Sequence, residues 1–92
     1  MTIAIRLANT FFKERKRLPP NRQQAIDNAL ERFMEDPSRA GLNFRPLVGK
    51  AGHFIINGAH GDRIILQRDT ATAYTAVAVG PHDNVLRRMN RR

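Results

Sequence analysis

An α+β domain is predicted, with a helical hairpin covering one face of an antiparallel sheet in the order β-α-α-β-β-β. Three observations predict it. An amphipathic helical repeat runs between Asn21 and Met34, three short apolar runs separated by turn residues follow from residue 53 onward, and Pro19-Pro20 separates two helix-forming stretches.

The elements follow in order. Ile3, Ile5 and Leu7 alternate with Ala4 and Arg6, the period of a half-buried strand. Asn9 or Thr10 is placed to cap a helix over roughly 10–18, whose apolar side holds Phe11, Phe12, Arg15 and Leu18. Pro19-Pro20 ends it, and Asn21 with Gln24 three residues on has the pattern of a capping box for the next helix. Ile26, Ala29, Leu30, Phe33 and Met34 then recur at helical spacing, and Asp36-Pro37 stops the run. Residues 38–52 read as irregular, anchored by Leu42, Phe44 and Leu47. Strands are predicted over roughly 53–58, 63–68 and 74–79, with Gly58 and Gly61 turning the first pair and Asp69 to Ala73 the second. The tail after Asp83 is expected to be a short helix or disordered.

Ninety-two residues make a single domain, 1–92, with one modest core. The net charge of +8 is unevenly spread: residues 1–37 hold seven basic and five acidic side chains, and residues 38–92 hold nine and three. That bias favours an anionic partner, nucleic acid or an acidic protein segment ahead of a membrane surface. Without cysteine there are no disulfides and no thiolate chemistry. No apolar run approaches the ~20 residues of a membrane helix, and Met1 to Arg6 lacks a signal-peptide core. A soluble cytoplasmic protein is expected.

The densest chemistry lies at the end. Val77-Ala-Val-Gly-Pro-His-Asp83 is a strand that breaks and releases His82, and four arginines (87, 88, 91 and 92) occupy the last six positions. A histidine titrates near neutral pH, and arginine forks match phosphate oxygens.

Over nearly its whole length the chain resembles the RelE/ParE superfamily of bacterial toxins. The likeness rests on Leu18-Pro with the Gln-rich helix ending Phe33-Met-Glu-Asp-Pro37, on the loop Gly41-Leu-Asn-Phe-Arg-Pro-Leu-Val-Gly49, and on Asp62-Arg-Ile-Ile-Leu66 with Ala76 to Asp83. The resemblance implies the toxin of a type II toxin–antitoxin pair. In the RelE-like branch it is an endoribonuclease, or mRNA interferase, which cuts messenger RNA, often on the ribosome, and inhibits translation. A cognate acidic antitoxin would silence it. Arg63 matches the arginine at the start of the central strand. His82 matches the position after the last strand where members place histidine or arginine. Leu86 stands where many place tyrosine or phenylalanine, and Ile55-Ile-Asn57 lacks the lysine pair of the best-known members.

Metal-free RNA cleavage needs a base for the ribose 2′-OH, an acid for the leaving 5′-oxygen and cations for the phosphate. His82 is the leading candidate, against a plain loop histidine bonded to Asp83; capping a helix suits Asp83 better than orienting His82. Arg63 is expected on the scissile phosphate, against a salt bridge to Asp62 or Asp83. His60 and Asp62 are a second acid–base pair, although an exposed turn is the commoner reading of such a segment. Lys50, Arg68, Arg87 and Arg88 are candidate RNA contacts. His53, His60 and Asp62 lack metal-ligand spacing, and neither a metal nor an organic cofactor is expected. Lys13-Glu-Arg-Lys-Arg17 reads as a solvated face. The alternatives are a ParE-like inhibitor of DNA gyrase and a non-catalytic module binding RNA or protein.

Overall fold

A computed structural model describes residues 3–90, with side chains over 3–87. The chain runs β1 (Ala4–Leu7), α1 (Asn9–Lys16), α2 (Pro20–Glu35), β2 (Arg45–Pro46), β3 (His53–Asn57), a 3₁₀ turn (Ala59–Gly61), β4 (Asp62–Thr70), β5 (Ala73–Pro81) and α3 (His82–Asn90). The five strands form one sheet in the order β1-β5-β4-β3-β2. The fold class is the α+β one expected, with two refinements. The sheet is mixed, because β1 lies parallel to β5 while all other pairs are antiparallel. It also gains β2, too short to carry a periodic signal. Strand direction leaves no trace in an alternating pattern such as Ile3-Ile5-Leu7, because either orientation buries the same side chains.

Neither of the first two helices starts as its sequence suggests. Ala8 and Pro19 occupy the cap positions, and no side chain caps either helix. Pro20 opens α2, where a missing N–H costs nothing and a fixed φ helps. Asn21 and Gln24 therefore fall inside the helix and form no capping box; Gln24 donates to Asn28 instead. Thr10 is likewise inside α1 and donates to Val77 O at 2.7 Å.

The helical repeat is buried as spaced. Phe11, Ile26, Leu30 and Phe33 close over Ile56, Ile64, Leu66 and Tyr74 on one face of the sheet. Phe33 sets its ring edge-on to both Phe44 and Tyr74, with centroids 5.0 and 5.1 Å away. The opposite face carries a second, smaller cluster of Ile55, Ile65, Ala78 and Val85, flanked by Leu47, Val77 and Leu86. The cover there is α3, which folds back directly from β5. Ile64, Ile65 and Leu66 are all fully buried, as an unbroken apolar run in a sheet covered on both faces should be.

One irregularity in β5 matters for everything downstream. Ile65 pairs with Ala78 but Leu66 pairs with Ala76, so β5 carries one extra residue at Val77. Such a bulge shifts side-chain parity along the strand. Ala76 and Val79 consequently face the helical hairpin together, while Val77 and Ala78 face α3.

Candidate anion and acid–base site

The α3 face of the sheet has an apolar half and a polar half. Along β4, Arg63 alternates with Ile64 and shares the face of Ile65. Asn57 is the direct cross-strand partner of Arg63, and Arg45 pairs with Ile55 on the same face. Three polar side chains on three neighbouring strands therefore converge beside α3.

Arg45 Nη1 donates to Asn43 O and, at 3.2 Å, to Asn57 Oδ1. Arg63 Nη1 donates to Asp62 O at 3.0 Å, while its Nε is buried and has no hydrogen-bond partner among the described residues. Both arginines are half-buried. Among the described residues, neither has a carboxylate within ion-pair distance. Burial first, and then the positive charge of Arg63, push the Arg45 guanidinium below its ordinary value. Two like charges with an orphaned donor form a site that is electrostatically incomplete. An oxyanion would complete it.

His82 opens α3, the helix packed on this face through Val85 and Leu86. Gly80 pairs with Arg63, and its φ of +153° is a backbone state that side-chain-bearing residues rarely adopt. β5 runs one residue further, to Pro81, and α3 begins at His82. The imidazole is about half exposed, and Nδ1 lies 3.2 Å from Asp83 Oδ1. Asp83 itself occupies the first turn of α3, where a carboxylate suits the helix dipole.

The other candidates separate. The Asp62 carboxylate is fully buried on the hairpin side and held in a bidentate ion pair with Arg22 of α2. That charge is neutralised away from the Arg45–Arg63 face. His60 is exposed in the 3₁₀ turn with φ +62°. Arg68 does not converge on the site either. Its guanidinium lies 4.5 Å from the Phe54 ring centroid and donates to Tyr74 Oη at 3.0 and 2.7 Å, on the hairpin side. Lys50 is half-buried in the β2–β3 turn and Arg87 is exposed on α3. The Arg88 side chain, and Arg91 and Arg92 entirely, lie outside the described residues. His53 Nδ1 bonds Ala51 O at 2.8 Å. Among the described residues, no three His, Cys, Asp or Glu side chains gather as metal ligands.

Arg45 and Asn57 were not legible as members of this group. The loop motif containing Arg45 was visible, but its side chain joins Arg63 only through the β2–β3–β4 register. The charged segment of α1 is also less uniform than its composition. Lys13, Lys16 and Arg17 are exposed, whereas Arg15 pairs with Asp27 at 2.6 Å and Glu14 accepts from Val79 N at 3.0 Å.

No family model matches the chain, and no curated protein matches it in sequence. Solved structures do match in fold, RelE toxins among them. A chain of the toxin–antitoxin complex RelBE2 from Mycobacterium tuberculosis superposes with a TM-score of 0.72 at 21% identity, covering 89% of this chain and all of that one. The free E. coli toxin RelE, in a form with two arginines replaced by alanine, gives 0.70 at 19% identity, covering 91% and 87%. A YoeB/ParE toxin from Agrobacterium tumefaciens gives 0.69 at 12%, covering 87% and 99%. No helix among the described residues is long and apolar enough to cross a membrane.

Proposed function

We propose that this protein is the toxin of a type II toxin–antitoxin pair and acts as a metal-independent endoribonuclease on messenger RNA. The observation that carries the reading is the pairing of Arg45 with Arg63. Among the described residues, two half-buried guanidiniums lack a carboxylate partner, one with an orphaned Nε, on the sheet face that α3 covers.

In this reading the phosphodiester sits between Arg63 and Arg45, whose N–H groups meet its non-bridging oxygens. Asn57 holds Arg45 toward it. The 2′-OH attacks the adjacent phosphorus, the P–O5′ bond breaks, and a 2′,3′-cyclic phosphate and a 5′-hydroxyl result. His82 takes the 2′-OH proton or supplies one to the departing 5′-oxygen, a role worth ~10²–10⁴-fold. Lys50 and Arg87, with Arg88, extend the basic surface along the RNA. The partner that silences the protein is an acidic antitoxin laid across the same cations. In support, the RelBE2 structure and other matched structures are complexes of a RelE toxin with a RelB antitoxin.

The test is to induce the chain in cells and map new 5′ ends of messages, then repeat with His82→Ala, Arg63→Ala and Arg45→Ala. New ends that vanish in all three variants are expected. Growth arrest with intact messages and altered DNA supercoiling would instead point to gyrase and overturn the nuclease.

A further inference from the structure

We infer that Thr10 and Glu14 of α1 are positioning residues for His82: they lock the bulge in β5, and the bulge sets the register at which β5 ends against β4 and α3, with His82 at its start, departs. The activity arm of its test rests on the role proposed above for His82; the structural arm does not.

β1 accompanies β5 only as far as the Leu7–Ala76 pair. Beyond Ala76, the side of β5 away from β4 has no strand partner among the described residues. Unpaired strand groups at a half-buried edge are costly, and a bulge leaves further groups without a ladder partner. Here α1 takes over from β1. Ala8 N donates to Ala76 O at 3.0 Å, Thr10 Oγ1 to Val77 O at 2.7 Å, and Val79 N donates to Glu14 Oε1 at 3.0 Å. Thr10 and Glu14 are one helical turn apart, so a single face of α1 reads the backbone on both sides of the inserted residue.

The consequence follows from parity. In a regular strand, residues 76, 78 and 80 would share one face, so Gly80 would turn toward the helical hairpin with Ala76. With the extra residue at Val77, Ala76 and Val79 share the hairpin face, while Ala78 and Gly80 turn toward Ile65 and Arg63. The strand ends at Pro81, which pairs with Asp62, and α3 begins at His82. A one-residue change of register would therefore move the point at which α3 and His82 leave the sheet relative to Arg63. A carboxylate on an N–H is a strong local contact, and this one sits three residues from His82.

The experiment uses the full chain with Glu14→Ala, Glu14→Gln and Thr10→Val. Glutamine keeps an oxygen able to accept from Val79 N, whereas alanine does not. By NMR, Glu14→Ala should move the Val79 amide and the His82 ring resonances, and Glu14→Gln should return the ring resonances toward wild type. In cleavage of a defined RNA, kcat should fall by about 10²-fold in Glu14→Ala with KM unchanged, and recover in Glu14→Gln. Unmoved His82 resonances in Glu14→Ala, or failure of glutamine to rescue, would overturn the inference. Should Glu14→Ala not fold, Thr10→Val decides by the same ring resonances, since it removes only the hydroxyl bond to Val77 O. A wild-type protein that cuts no RNA would end the nuclease reading and leave the NMR arm to decide the positioning.

Discussion

Two adjacent residues, Asp62 and Arg63, show how neighbours on a strand divide between stability and function. Asp62 points into the hairpin core, where its charge is fully buried and met by both arms of Arg22. Removing one member of such a pair leaves the other charge in a poorly solvated place. Asp62→Asn should therefore destabilise the fold by about 3 kcal/mol, read from the urea midpoint at constant m-value. Arg63 points the other way, carries a buried Nε without a partner, and sits against the charge of Arg45. Its one hydrogen bond goes to Asp62 O, which Gly58 N also reaches at 2.8 Å. Arg63→Met keeps the apolar stem and removes both liabilities. Stability should rise by about 1 kcal/mol in the same urea titration while RNA cleavage is lost. A loss of stability would show that Arg63 is a structural residue. At this scale the sequence was partly legible. Arg63 and His82 stand out by type and position, but the burial of Asp62 depends on Arg22, forty residues away. Arg45 enters the site only through a two-residue strand that has no period to detect.

At the scale of elements, the helices were the clearest. The spacing of Ile26, Ala29, Leu30 and Phe33 is the buried stripe of α2, because helical geometry puts those positions on one face whatever they pack against. The hairpin β4–β5 was also visible in its turn residues. Hidden from sequence were the parallel direction of β1, the bulge at Val77 and the second face of the sheet, all of which are set by contacts between distant segments. Leu86 illustrates the third. It packs with Val85 on the Ile65 side as part of the anchor of α3. Val85 is the fully buried half of that anchor. Val85→Ala removes two methyl groups and should cost about 2 kcal/mol. Because α3 touches only β4 and β5 strongly, its amides should lose hydrogen-exchange protection before those of α2. Equal loss of protection in both helices would show that α3 is not a separately anchored unit.

For the whole molecule, the relevant quantity is how the net charge of +8 is used. Part of it is engaged internally, in the Arg15–Asp27 and Arg22–Asp62 pairs. The C-terminal half keeps nine basic residues against three acidic ones, and one of those three, Asp62, is already neutralised. Of the other described cations in that half, Arg39 pairs with Glu35 and Arg68 lies on the hairpin side; Arg45, Arg63, Lys50 and Arg87 are those the proposed function gives to the RNA. If those four cations each replace a condensed counterion on single-stranded RNA, log K should fall with log salt at a slope of about −3, since each contact contributes about −0.7. The measurement uses a 2′-O-methyl oligonucleotide, which has no free 2′-OH to attack and so cannot be cut. Replacing Arg45 and Arg63 together with methionine should make the slope shallower by about 1.4. Replacing Arg68, whose guanidinium is engaged with Tyr74 and Phe54 on the far face, should leave it unchanged. An Arg68 variant that flattened the slope as much as the double variant would mean that RNA tracks the hairpin side of the sheet instead, and the site would have to be sought there.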